Sequence, residues 1–244
     1  MEINPNENST LKFGFYISII LSVLTFLALV LGMMAIPPAG PNCPKDCMEY
    51  PYLDLLKYFP RDYFWMYIAS FQLIAFLVFI ITVNHTSLIA KKLFGLVSVV
   101  FAMISTTVLL LVYYVQYAVV PISVMKGELE GIALITQYNG HGIFIAMEEL
   151  GYWLMSISLF FLAFALPYNS RMERSVRFLL IIPLILSLTG FIFYTLRYGI
   201  DRDYRFEVVT LTANWLVLVV AGILLAIVFK RKMIVGNSTE ESLD

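Results

Sequence analysis

Histidine occurs twice and cysteine twice in 244 residues. A protein-held metal asks for a convergent set of His, Cys or carboxylate ligands. His85 and His141 fall on opposite sides of the topology derived below, so one histidine and two glutamates is the most the chain can assemble. No metal and no cofactor is expected. There is no H-E-x-x-H, no G-x-S-x-G and no P-loop, so the reading leans away from an enzyme. Charge is scarce as well: 14% of residues are Asp, Glu, Lys or Arg, and the net charge is −1. A soluble domain carries about 25%. No nucleic-acid partner is expected.

What is present is hydrophobic, at 60% of residues, with a mean hydropathy of +0.84. It comes in blocks long enough to cross a hydrocarbon core about 30 Å thick. Backbone polar groups in lipid must be satisfied within the segment, so the blocks are expected to be helices. The fold class is all-α, a bundle of six transmembrane helices. The spans run about 13–36, 63–84, 92–119, 143–167, 176–198 and 208–229 within a membrane domain of residues 13–232. Residues 1–12 and 233–244 are polar tails. The third span is long enough to tilt, kink or run past the membrane. Pro183 predicts a kink in the fifth.

Basic residues orient the chain. Lys91-Lys92, Arg171/Arg174/Arg177 and Lys230-Arg231-Lys232 lie tight against span ends on the side of both termini. Juxtamembrane bases mark the inner face, so both termini are expected in the cytoplasm of a plasma-membrane protein. Loop 1, with Cys43 and Cys47, then lies outside, where a disulfide is permitted. Loop 1 (YPYLDLLKYFPRDYFW) and loop 3 (KGELEGIALITQYNGHG) read as short surface helices. Loop 5 (RYGIDRDYRFE) alternates in charge and reads as solvated.

The fourth span carries two adjacent acids, Glu148 and Glu149, roughly 10 Å from its outer end at 1.5 Å per residue. A charge at the bilayer centre costs at least about 2.5–3.5 kcal/mol. The two side chains lie about 100° apart around the helix, so at least one faces the bundle. Gln72, Gln116, His141, Arg197 and Asn214 fall at comparable or neighbouring depths. With the two acids they form the candidate ligand-binding set. The alternative reading is interhelical hydrogen bonding, a common membrane adhesive. The acids also resemble the E-E-x-x-x-R motif of intramembrane CAAX-type proteases. Here, however, position 153 is Trp rather than Arg and no histidine follows Glu149, so that resemblance fails.

Residues 139–167, NGHGIFIAMEELGYWLMSISLFFLAFALP, resemble the fourth span of a family of uncharacterised prokaryotic six-span integral membrane proteins. In that group an acidic pair or near-pair followed by Leu-Gly-Tyr recurs in an apolar helix; here these are Glu148, Glu149, Leu150, Gly151 and Tyr152. The resemblance implies the class and a prokaryotic membrane, and brings no activity or substrate. The expected function is binding of a small ligand, lipid or cation in an outward-facing polar pocket, as a transporter, sensor or accessory subunit. A membrane-embedded enzyme using Glu148 or Glu149 as acid–base, and an assembly subunit, are the alternatives. Expected partners are the lipid bilayer, a small ligand or lipid, and a membrane protein or second copy.

Overall fold

The computed structural model describes residues 5–35, 39–40, 43, 45–87 and 89–240. Among these there is no strand. Six helices are long and apolar enough to cross a membrane: α1 (Pro5–Met34), α2 (Phe64–His85), α3 (Lys92–Ala118), α6 (Ile143–Ala165), α7 (Arg171–Tyr198) and α8 (Arg205–Glu240). Two short helices, α4 (Val120–Lys126) and α5 (Ile132–Ile135), join α3 to α6, and short 3-10 turns at Leu53–Lys57 and Arg61–Tyr63 lead into α2. The chain is thus all-helical and fits a multi-pass membrane protein.

Helix ends depart from the hydropathy windows for local reasons. α7 starts at Arg171 because Ser170 and Glu173 form a reciprocal cap: the Glu173 amide donates to the Ser170 hydroxyl at 3.1 Å, and the Ser170 amide donates to the Glu173 carboxylate at 3.0 Å. That cap satisfies amides which hydropathy does not register. The long third span is broken at Val119, just before Pro121. Proline is tolerated in a first turn, where its missing N–H is not needed. Gly127, at φ 74°, ends α4. α6 stops at Leu166, which is extended ahead of Pro167. Pro183 lies inside α7 without ending it. α1 begins within the segment read as a polar tail, and α8 continues through the other as far as Glu240. α8 also starts at Arg205, which draws Glu207 into its first turn. Loop 5 is therefore shorter than the sequence suggests, and Glu207 is buried rather than solvated.

The helices pack as a ring, α1–α2–α3–α6–α7–α8, and α6 also touches α8 across it. Small hydroxyls tie the ring together. Ser105 donates to the Gly151 carbonyl at 2.7 Å, Ser158 to the Ser98 carbonyl at 2.8 Å, and Ser156 pairs with Ser187 at 3.2 Å. Such contacts replace the hydrophobic driving force that lipid cannot supply between helices.

The α1–α8 seam changes along its length. Towards the termini it is tight. Ser22 donates to the Val219 carbonyl at 3.0 Å, and a Cβ on Gly222 would meet the Ser18 carbonyl at 2.8 Å. At the other end no residue from Leu29 to Ala35 is buried, and a Cβ on Gly32 would meet no described atom within 4 Å.

Candidate functional site

A cavity of about 280 Å³ fills the space where α1 and α8 part. Glu148 of α6 and Glu207 of α8 line it, and Asp62 closes it from the turn ahead of α2. All three acids are buried, Glu148 to 2% exposure, Asp62 to 3% and Glu207 to 6%. The walls are aromatic: Trp65, Phe144, Tyr204 and Trp215 face the same space. The two tryptophan rings meet edge to face, 6.1 Å apart. No lysine or arginine lines the cavity.

Each acid has a different local arrangement. The Tyr113 hydroxyl donates to Glu148 Oε1 at 2.7 Å and lies 2.7 Å from the Tyr152 hydroxyl. Nothing among the described residues bonds the second Glu148 oxygen. Asp62 Oδ1 accepts from Arg61 Nε at 2.7 Å, while its buried Oδ2 has no partner among the described residues. The Glu207 backbone carbonyl accepts from the Thr210 hydroxyl at 2.9 Å, but its carboxylate forms no hydrogen bond or ion pair among the described residues, although it lies within electrostatic reach of Glu148 and Glu149. A buried carboxylate oxygen without a partner, as Asp62 Oδ2 is among the described residues, is costly.

A loop roof covers the cavity. Gln137 and Tyr138, between α5 and α6, and Ala39, before α2, contribute to its lining. Gln116 holds that roof from α3. Its side-chain NH2 donates to the Ile135 carbonyl, and its oxygen accepts from the Gln137 amide at 2.9 Å. Burial pushes the Tyr138 hydroxyl well above the ordinary tyrosine range, with Tyr63 and Asp62 adding to the effect.

The structure separates the residues expected to form one pocket. Of the seven, only Glu148 lines the cavity. Glu149 points to the neighbouring helix hairpin and pairs with Arg202 at 3.2 Å. Arg202 lies over the rings of Phe191 and Phe206, 4.8 and 5.4 Å from their centroids. Arg197 is exposed over Tyr198. His141 is exposed, and its backbone amide donates to Asn139 Oδ1. Gln116 is committed to the roof. Asn214 donates to the Tyr152 carbonyl at 3.1 Å, the Ser156 hydroxyl at 2.8 Å and the Thr210 carbonyl at 2.8 Å. Gln72 is buried in α2, and neither of its amide atoms has a hydrogen-bond partner among the described residues. Cys43 and Cys47 are bonded to each other. Sequence reasoning missed Asp62, Glu207 and the four cavity aromatics. The signal for the two acids was their position immediately outside the hydropathy windows, where a helix extended by one turn buries them.

Chemically the site can hold a positive charge. Among the described residues no three His, Cys, Asp or Glu side chains converge tightly enough for a metal ion. Spaced carboxylates between aromatic faces suit a larger, softer cation, since a ring face attracts a cation within about 6 Å of its centroid. No family model, curated protein or solved structure matches the chain, so these residues alone carry the functional reading.

Proposed function

We propose that this is a multi-pass plasma-membrane protein that binds a small organic cation in a cavity near its outer face, as the binding site of a transporter, sensor or accessory subunit. One observation carries the reading. Glu148 and Glu207, both buried, line one aromatic-walled cavity that no basic side chain enters. Two negative charges in that setting call for a compensating cation or protons. Its volume of about 280 Å³ lies at the lower edge of the roughly 300–1,000 Å³ usual for ligand pockets. That is room for an ammonium headgroup rather than a large metabolite. The outward placement is supported by the bases clustered at the opposite end of the bundle, Lys91, Lys92, Arg171, Arg174, Arg177 and Lys230 to Lys232. The disulfide in loop 1 agrees with it. The resemblance of residues 139–167 supports a prokaryotic membrane.

The test is thermal stability of the purified chain in a non-ionic detergent. Tetramethylammonium is compared with 3,3-dimethylbutan-1-ol, an uncharged compound whose tert-butyl head has the shape of a trimethylammonium group. A ligand at about 100 times its Kd stabilises the folded state by about 2.7 kcal/mol. Tetramethylammonium is expected to raise the Tm of the wild type and not that of the Glu148→Gln/Glu207→Gln variant. An equal rise with the alcohol, or an undiminished rise in the variant, defeats the proposal.

A further inference from the structure

Resting on that reading, we infer that the ligand is an amphiphile, an ammonium headgroup on a hydrocarbon chain, taken laterally from the outer leaflet through the α1–α8 seam. The inference concerns how the cavity opens. The roof of Gln137, Tyr138 and Asp62 lies over it, and Gln116 fastens that roof to α3 through two hydrogen bonds. Sideways the described residues make no such cover. The cavity lining includes Leu29, Gly32 and Met33 on one side of the seam and Val208 and Leu211 on the other. Met33 is 79% exposed and Val208 43%. Gly32 leaves space open among the described residues where a side chain would stand. The seam closes again lower down, where Ser22 bonds the Val219 carbonyl and Gly222 sits against Ser18.

The opening is therefore a slot confined to one half of the bundle, with apolar lips and acids at its inner wall. A free inorganic or small organic cation has no reason to approach through apolar lips in the lipid zone. An amphiphile does: its chain stays in hydrocarbon while its head turns inward to the carboxylates, as snorkelling side chains do in the opposite sense. Cavity size fits this division. The cavity of about 280 Å³ holds a headgroup, and the chain remains in the slot. Charge selects the sign of the head, because acids line the cavity and bases do not.

The experiment titrates the full chain in dodecyl maltoside micelles, which carry no charge and no ammonium. It follows emission from the three tryptophans. The probes are tetramethylammonium, decyltrimethylammonium at low mole fraction in the micelle, and decyl sulfate as the same chain with opposite charge. Binding of decyltrimethylammonium at least tenfold tighter than tetramethylammonium is expected, with no comparable response to decyl sulfate. Micelle partitioning alone also favours the longer chain, so the ratio is measured again in Gly32→Phe, which fills the slot. That ratio is expected to narrow about tenfold. Met33→Trp, at a highly exposed side chain, is the second blocking variant should Gly32→Phe not fold. A ratio unchanged in both variants overturns lateral access and leaves the cation cavity standing. A response to neither ammonium probe overturns both. An equal response to decyl sulfate overturns the role of charge.

Discussion

Glu148 and Glu207 reach one cavity from two different helices, α6 and α8, and no basic side chain stands between them. Glu149, the immediate neighbour of Glu148, is instead held by Arg202 at 3.2 Å. Adjacent acids in the sequence thus have separate environments, and the acid that shares a cavity with Glu148 lies far along the chain.

If the cavity binds a cation as proposed, that arrangement sets opposite demands on binding and stability. Sites built for a ligand commonly cost stability when empty. Glu207→Gln removes a buried carboxylate that has no partner among the described residues. The variant is expected to be more stable than wild type by about 0.5–2 kcal/mol in detergent without ligand. Its affinity for tetramethylammonium is expected to fall at least tenfold. Thermal unfolding with and without the cation reads both effects. A variant that is less stable and binds normally would assign Glu207 to the scaffold.

Asn214 makes the contrasting case. Its amide donates to three acceptors on α6 and α8 and it does not line the cavity. Interhelical bonds of this kind average about 0.6 kcal/mol and reach about 1.7. Asn214→Leu is expected to lower stability by about 1–2 kcal/mol. The cation affinity measured below the new Tm should stay within about threefold of wild type. A large loss of affinity with normal stability would place Asn214 in the site.

How far the sequence led can be judged on these residues. Hydropathy blocks and their spacing located the six apolar helices, and the lone acids in an apolar run singled out Glu148. Depth along each span was legible; rotation was not. Gln116, His141 and Asn214 lie near the right height but face a loop, solvent and a helix backbone respectively. Arg202 rather than Arg197 meets Glu149 because α7 ends at Tyr198, and the chain after Gly199 turns back toward α6. Asp62 and Glu207 were hidden by the window itself. Each stands at a helix start where the average is diluted by charged neighbours, and only packing of the roof and of α1 shows that these starts are buried. The pairing of α1 with α8 joins the two ends of the chain, a contact no local pattern contains.

Gly222 tests whether the slot depends on the tight half of that pairing. A Cβ there would stand 2.8 Å from the Ser18 carbonyl, a backbone atom that cannot swing aside, and would also crowd the Ser22 hydroxyl. Overpacking of this kind costs about 1–3 kcal/mol. Gly222→Ala is expected to lower the Tm by that equivalent and to spread α1 from α8. A cysteine at Gly14 and another at Phe229, whose ring tip lies against Gly14 in the native seam, should then be bridged by a short bifunctional thiol reagent more slowly than in the Gly222 background. An unchanged Tm and cross-linking rate would mean that the seam adjusts freely, and that its closed half does not fix the width of the slot.

The roof has its own signature in alkali. Burial, more than its neighbours Tyr63 and Asp62, raises the Tyr138 hydroxyl well above its ordinary value. Tyr52 is raised in the same direction, chiefly by burial and then by Asp203. The sign follows from proton counting. Below about pH 10 the tyrosine is protonated whether folded or unfolded, and the shift contributes its full stability. Above that pH the unfolded chain loses the proton while the folded chain keeps it. Stability then falls as pH rises, by up to about 1.4 kcal/mol per pH unit for one such group. Unfolding measured from pH 8 to pH 11 is expected to show a flat region followed by this decline. Tyr138→Phe should make the decline shallower without abolishing it, because Tyr52 still contributes. An identical slope in the variant would show that Tyr138 ionises as readily in the folded roof as in the unfolded chain, and that the loop over the cavity is open to water.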